Sequence, residues 1–244
     1  MTSRAPHPPP PSRTSPAPRA ITHVELLVVI GIIALLIAIL LPALTAAKAQ
    51  ADALKCAANL RTMGQVMQQY ANDNRGFIPR DYSPGNPGHI FWGEMYAKYL
   101  NRPLPTISNN SSSRDHTLAP YFALIPIYQC PSFPNPVQPV DYVNNGWDKY
   151  SPSGQTQAAF KVTKFRRAGE IIFMTEGNKN RQVDTFVYHD VWHPSHLPTS
   201  SSPSERRICD DARHRGNINC VYLDGHVAAR PFKSLTEKDF RLTN

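Results

Sequence analysis

Residues 21–47 read ITHVELLVVIGIIALLIAILLPALTAA, with no charged side chain between Leu26 and Ala47. Those 22 positions are dominated by Leu, Ile, Val and Ala, and the 16 from Leu26 to Leu41 contain no polar side chain. Coiled as a helix at about 1.5 Å per residue, the 22 span about 33 Å, enough for a hydrocarbon core of about 30 Å. A helix apolar on every face suits lipid better than the one-sided core of a small soluble domain. The stretch therefore predicts one membrane-spanning helix.

The flanks predict its orientation. Residues 1–20 carry seven prolines, three arginines (Arg4, Arg13, Arg19) and no acid, which reads as a disordered basic leader. The nearest charges after the span are Lys48, Asp52 and Lys55. The excess of basic residues before the span places the N-terminus inside and the remainder outside the cytoplasmic membrane. A secretory signal peptide is the competing reading, since Ala43-Leu-Thr-Ala-Ala47 offers small residues for cleavage. The net charge is +8, or +5 without the leader arginines, and no run of five like charges occurs. That balance gives no nucleic-acid signature, and no nucleic-acid partner is expected.

Beyond the span, Cys56, Leu60, Met63, Met67 and Tyr70 recur at spacings of 4, 3, 4 and 3. This is one apolar stripe on a continuing helix, expected to cover a sheet. Asn72-Asp-Asn-Arg-Gly76 and Pro79 end it, giving a helix over 21–73. Residues 80–165 are rich in Pro, Asn, Ser and Gly; Trp92–Leu100 reads as a short helix and Asn109–Ser113 as an exposed loop. Ile171–Thr175 is β-prone and leads into Glu176. Near the C-terminus, Asp224-Gly225 separates two β-prone runs, the pattern of a hairpin whose two central residues take positive φ. The expected fold class is α+β: the second half of a long N-terminal helix lies on a small antiparallel sheet with strands at 170–175, 217–223 and 226–230. The expected parts are a leader (1–20), an assembly helix (21–47), its extension (48–75) and a head (76–244).

Glu25 stands at the edge of the apolar run, where a carboxylate at depth in lipid costs a few kcal/mol. A plain anchor has no use for it. A subunit packing against copies of itself does, because the acid can pair with a neighbour's free N-terminal amine. With that residue in view, Ile21-Thr-His-Val-Glu25-Leu-Leu-Val-Val-Ile-Gly-Ile-Ile-Ala34 resembles the prepilin cleavage and methylation motif of type IV pilins and type II secretion pseudopilins. In that family a membrane peptidase cuts before a hydrophobic residue, the new N-terminus is methylated, Glu is the fifth mature residue, and a Pro follows about two dozen positions on. The resemblance implies a processing site at Ala20–Ile21, assembly through Glu25 and the helix-kinking Pro42, and as partners a prepilin peptidase, other pilin-like subunits and the membrane. Two positions depart from the pattern: Ala20 replaces Gly, and His23 replaces Leu.

His214, nine intervening residues and Asp224-Gly225 form an H-x9-DG signature similar to one at the C-terminus of a large group of prepilin-like proteins. The Cys130-Pro131-Ser132 step and the segment from Lys55-Cys56 to Asn74 also resemble that group. Two readings of the element stand: a structural turn with His214 packed nearby, or a cation site. In the second, His214, Asp224 and His226, with Glu176, present nitrogen and oxygen ligands suited to zinc. Some pseudopilin heads bind calcium, for which Asp210, Asp211 and Asp224 are the candidate carboxylates. No cofactor is otherwise required. His189, His193 and His196 also cluster in sequence, but Pro194 breaks the helix that would align them, so they read as exposed loop residues.

The four cysteines form no CxxC pair. In an oxidising compartment two pairings fit. Cys209–Cys220 is preferred, because Cys220 lies on a strand and a short preceding strand or loop could bring Cys209 alongside it; closing that ring would supply about 3 kcal/mol of loop-closure entropy. Cys56–Cys130, joining the long helix to the Pro-rich middle, is the second, and four buried thiols remain the alternative to both. No nucleophile elbow, P-loop or HExxH motif is present, and no enzymatic activity is expected. The sequence thus favours a pilin-like subunit of a pilus or secretion pseudopilus. Its rival is an uncleaved single-pass protein with a ligand- or metal-binding head.

Overall fold

The computed structural model describes residues 22–79, 92–106, 114–133, 139–147, 159–178, 190–191, 193–209 and 213–241. Ala20, Ile21, His189, Asp210 and Asp211 lie outside them. Helix α1 runs unbroken from His23 to Asp73, with Pro42 inside it. Pro42 has no amide to donate, and the Thr45 hydroxyl donates to the Pro42 carbonyl oxygen at 2.8 Å. The chain forms two compact units, residues 1–46 and 47–244. In the first, every large apolar side chain from Val24 to Leu44 is exposed. This helix, near the N-terminus, is long and apolar enough to cross a membrane.

The N-terminus of α1 is capped in a way the sequence reading overlooked. Thr22 donates through its amide and its hydroxyl to Glu25 Oε2, both at 2.8 Å, and the Glu25 amide donates to Thr22 Oγ1 at 3.2 Å. Thr22-His-Val-Glu25 is a capping box, and its S/T-x-x-E spacing was legible beforehand.

In the second unit the stripe packs as expected: Cys56, Leu60, Met63 and Met67 are fully buried. The helix ends where the turn residues suggest, with Arg75 (φ 57°) and Gly76 (φ 83°) left-handed and the Gly76 amide donating to the Ala71 carbonyl. Strand β1 (Phe77–Pro79) follows, then helices α2 (Trp92–Tyr99) and α3 (Arg114–Phe122). The remaining strands are β2 (Tyr142–Asn145), β3 (Ala159–Lys161), β4 (Ile172–Glu176), β5 (Asp190–Val191), β6 (Asn217–Tyr222) and β7 (Val227–Pro231). β1 pairs with β3, and the main sheet has the order β5-β2-β4-β6-β7. Within it β2, β4, β6 and β7 are antiparallel, and only the two-residue edge strand β5 lies parallel to its neighbour. The class is α+β.

Both faces of this sheet are covered. Phe173, Met174, Val221 and Leu223 share a core with α1 and the aromatic residues Trp92, Tyr96, Phe122 and Tyr128. Ile172, Ile218, Cys220 and Tyr222 belong to a second core with Trp147, Ile208, Leu235 and Phe240. β6 is therefore buried from Ile218 to Tyr222 although its side chains alternate between faces.

Two local expectations are corrected. At the β6–β7 turn only Gly225 takes positive φ (89°), and its amide donates to the Tyr222 carbonyl. The turn thus begins at Tyr222 and reserves the left-handed position for the residue without a Cβ, sparing Asp224 that strain. His196, read as exposed, is buried, and its carbonyl accepts from the amides of Arg207 and Ile208. His193 is exposed as expected.

Candidate functional site

The H-x9-DG element spans β6, and its two ends dock at different places along α1. At the Gly end, helix and hairpin approach closely. A Cβ built on Gly64 would lie 2.8 Å from Val221 Cγ2 and 3.0 Å from the Gly225 carbonyl oxygen. Gln68 Nε2 donates to the Leu223 carbonyl at 2.8 Å, one turn further along α1. Asp224 Oδ1 accepts from the His226 amide at 3.0 Å and meets His226 Nδ1 at 2.6 Å, closing the turn. The His226 ring stacks on Tyr222, 4.2 Å between centroids.

At the His end, residues 213–216 form a tight turn in which the Gly216 amide donates to the Arg213 carbonyl at 3.0 Å, and His214 (φ 49°), Arg215 (φ 60°) and Gly216 (φ 82°) are all left-handed. Two consecutive non-glycine residues in that region carry a steric cost. The turn carries the His214 side chain into the interior, where it is 4 % exposed. There His214 Nε2 lies 2.9 Å from Glu176 Oε1 and 3.8 Å from Cys130 Sγ. Glu176, the last residue of β4, is fully buried. Its Oε1 also accepts from Asn219 Nδ2 at 2.8 Å. Glu176 Oε2 and His214 Nδ1 are buried with no hydrogen-bond partner among the described residues.

Cys56, on α1, and Cys130 form a disulfide with Cα atoms 5.0 Å apart, directly beside this pair. Asp141 braces it, accepting from the Cys130 amide at 2.7 Å. Burial pushes the Asp141 carboxyl up to about 7, opposed by that bond and by Arg213 and reinforced by Glu176. A raised carboxyl pKa means the folded state holds a proton that the unfolded state gives up. This group's contribution to stability is complete below about pH 4 and is lost as pH rises towards 7. Replacing Asp141 by Asn should therefore flatten the unfolding midpoint of the disulfide-bonded protein between pH 4 and 7, measured by thermal melts across that range.

The structure divides the sequence's candidate ligands into two groups. His214 and Glu176 meet, and Asp224 and His226 meet, but the pairs lie at opposite ends of β6, a six-residue strand that rises about 20 Å. The four residues do not form one cation site. A second correction concerns sulfur: Cys209 and Cys220 both remain thiols. The segment expected to bring Cys209 alongside β6 pairs with the end of β4 instead, through an Ile208–Gly177 bridge and a Cys209 amide bond to the Glu176 carbonyl. Cys220 faces the second core 3.4 Å from Thr175 Oγ1, and burial pushes its thiol up to about 12. The sequence pairs Cys56 with Cys130 and sets His214 with Glu176, but nothing in it brings the two pairs to one point. No local spacing brings residues 56, 130, 176 and 214 together; tertiary packing does.

The chain matches no protein-family model, no curated protein and no solved structure.

Proposed function

We propose that this protein is a pilin-like subunit, held in the cytoplasmic membrane by residues 21–47 and assembled through α1 into a pilus or secretion pseudopilus. One observation carries the reading: a single helix from His23 to Asp73 is exposed and apolar in its first half and buried against a sheet in its second. A pilin-type subunit needs that division, because one half must meet lipid or neighbouring helices while the other holds the head. The Cys56–Cys130 disulfide supports a head outside the cytoplasm, since such bonds persist in oxidising compartments. The ends of the H-x9-DG element then serve to fix the head's hairpin to the helix. No catalytic role is assigned. Chemical cross-linking of native envelopes, followed by immunodetection of the chain, should give a ladder of multimers. Monomer alone would favour an uncleaved, solitary anchor.

A further inference from the structure

Sγ of Cys56 and Cys130, a carboxylate oxygen of Glu176 and a ring nitrogen of His214 lie within 4.8 Å of one another. We propose that this cluster has a second state: when the Cys56–Cys130 bond is reduced, the four side chains form a closed zinc site. Two thiolates, an imidazole and a carboxylate are a donor set that suits Zn2+. With bonds of about 2.3 Å to sulfur and 2.0–2.2 Å to nitrogen and oxygen, donors on a tetrahedron stand about 3.3–3.8 Å apart. His214 Nε2 is already 3.8 Å from Cys130 Sγ, and its 2.9 Å contact with Glu176 Oε1 holds the carboxylate beside it, leaving Oε2 as the donor oxygen. The two sulfurs must part to open the site, and every other donor pair already lies within 4.8 Å.

A second observation points to a ligand independently of the spacing. Glu176 is fully buried, yet its Oε2 has no hydrogen-bond partner among the described residues. An ionised oxygen in that position is costly unless something positive meets it. Asn219 holds the other oxygen at 2.8 Å and orients the carboxylate, as outer-sphere partners do around structural zinc. The left-handed turn at 214–215 holds the imidazole against these groups. All four residues are buried or nearly so, which fits a metal with a structural role and no open coordination position.

The redox step balances with a dithiol as reductant. Two electrons and two protons from it cleave the S–S bond into two thiols, and the reductant leaves as its own disulfide. Zinc then displaces both thiol protons to solvent, bonding to two thiolates. Either state ties α1 to the Cys130 segment. The zinc state additionally fastens His214 and Glu176 to the same point, so the head would keep its helix whether or not oxidation has occurred. Nothing in this depends on N-terminal processing or assembly.

The test uses the full-length protein in detergent, either as isolated or after reduction with a trialkylphosphine, which does not compete strongly for the metal. Each sample is incubated with excess Zn2+, passed through a desalting column and analysed for metal. Reduced protein should retain one zinc per chain and oxidised protein none. In parallel, Co2+ added to the reduced protein should give sulfur-to-cobalt charge transfer and tetrahedral ligand-field absorption. Glu176→Gln and His214→Asn, Asn being tolerant of the left-handed backbone, should each weaken zinc binding by more than the about 10–100-fold that losing an outer-sphere partner costs. Should either variant fail to fold, the wild-type comparison between the two redox states still decides. Reduced, folded wild-type protein that retains no more zinc than oxidised protein would overturn the proposal. So would zinc binding undiminished in both folded variants.

Discussion

Replacing Glu25 by Gln should leave the protein in the membrane fraction but abolish its incorporation into multimers. The apolar run that inserts the helix is untouched, so insertion should persist. Assembly is different: if Ile21 is the mature N-terminus, its ammonium enters a low-dielectric environment, and pairing with a neighbour's carboxylate offsets the cost. Gln cannot supply that charge. The choice of Gln matters because Glu25 also closes the capping box with Thr22. Gln at the same position can retain the box, whereas Ala removes it, at a cost of about 1 kcal/mol for a lost cap. The two substitutions therefore separate the roles. Loss of multimers in both, with unchanged membrane content, supports the charge pairing. Normal assembly by Glu25→Gln alongside failure of Glu25→Ala would assign the residue to capping alone.

The second large effect is expected at the disulfide. Cys56 and Cys130 are 74 residues apart in sequence. Loop-closure entropy for a ring of that size predicts about 4 kcal/mol of stabilisation through the unfolded chain. A Cys56→Ala/Cys130→Ala variant should thus lose about 4 kcal/mol in denaturant unfolding, followed by tryptophan fluorescence with a chelator present. That is a large share of the about 5–15 kcal/mol by which domains are stable. A loss below about 1 kcal/mol would show that the bond constrains little in solution.

Much of the fold was legible because its signals were periodic. The Cys56–Tyr70 stripe and the alternation around Ile218–Tyr222 each fix a face, and a face fixes what packs on it. α3 and β2 were not legible. Arg114–Phe122 contains Pro120, and Tyr142–Asn145 ends in two asparagines, so neither segment has the composition of the element it joins. Asn145 earns its place by tertiary bonds: its side chain donates to the carbonyls of Ile172 and Phe240. Asp224-Gly225 marks the hairpin but not its turn type, because Asp-Gly alone does not say which residue begins the turn. The site was half legible. His214 and Asp224 stood out as a pair by spacing, yet β6 holds them apart, and His214's real neighbours come from three distant segments. Likewise, burial on both faces of the sheet could not be read from β6, since a strand alternating Ile, Cys and Tyr with Asn, Val and Leu fits one covered face or two.

Intact-mass and N-terminal analysis of the protein isolated from its native envelope tests the pilin-like reading most directly. The account predicts a chain beginning at Ile21, lacking residues 1–20 and carrying a methyl group on its terminal amine. A chain that still begins at Met1, or one cut after Ala47, would contradict it.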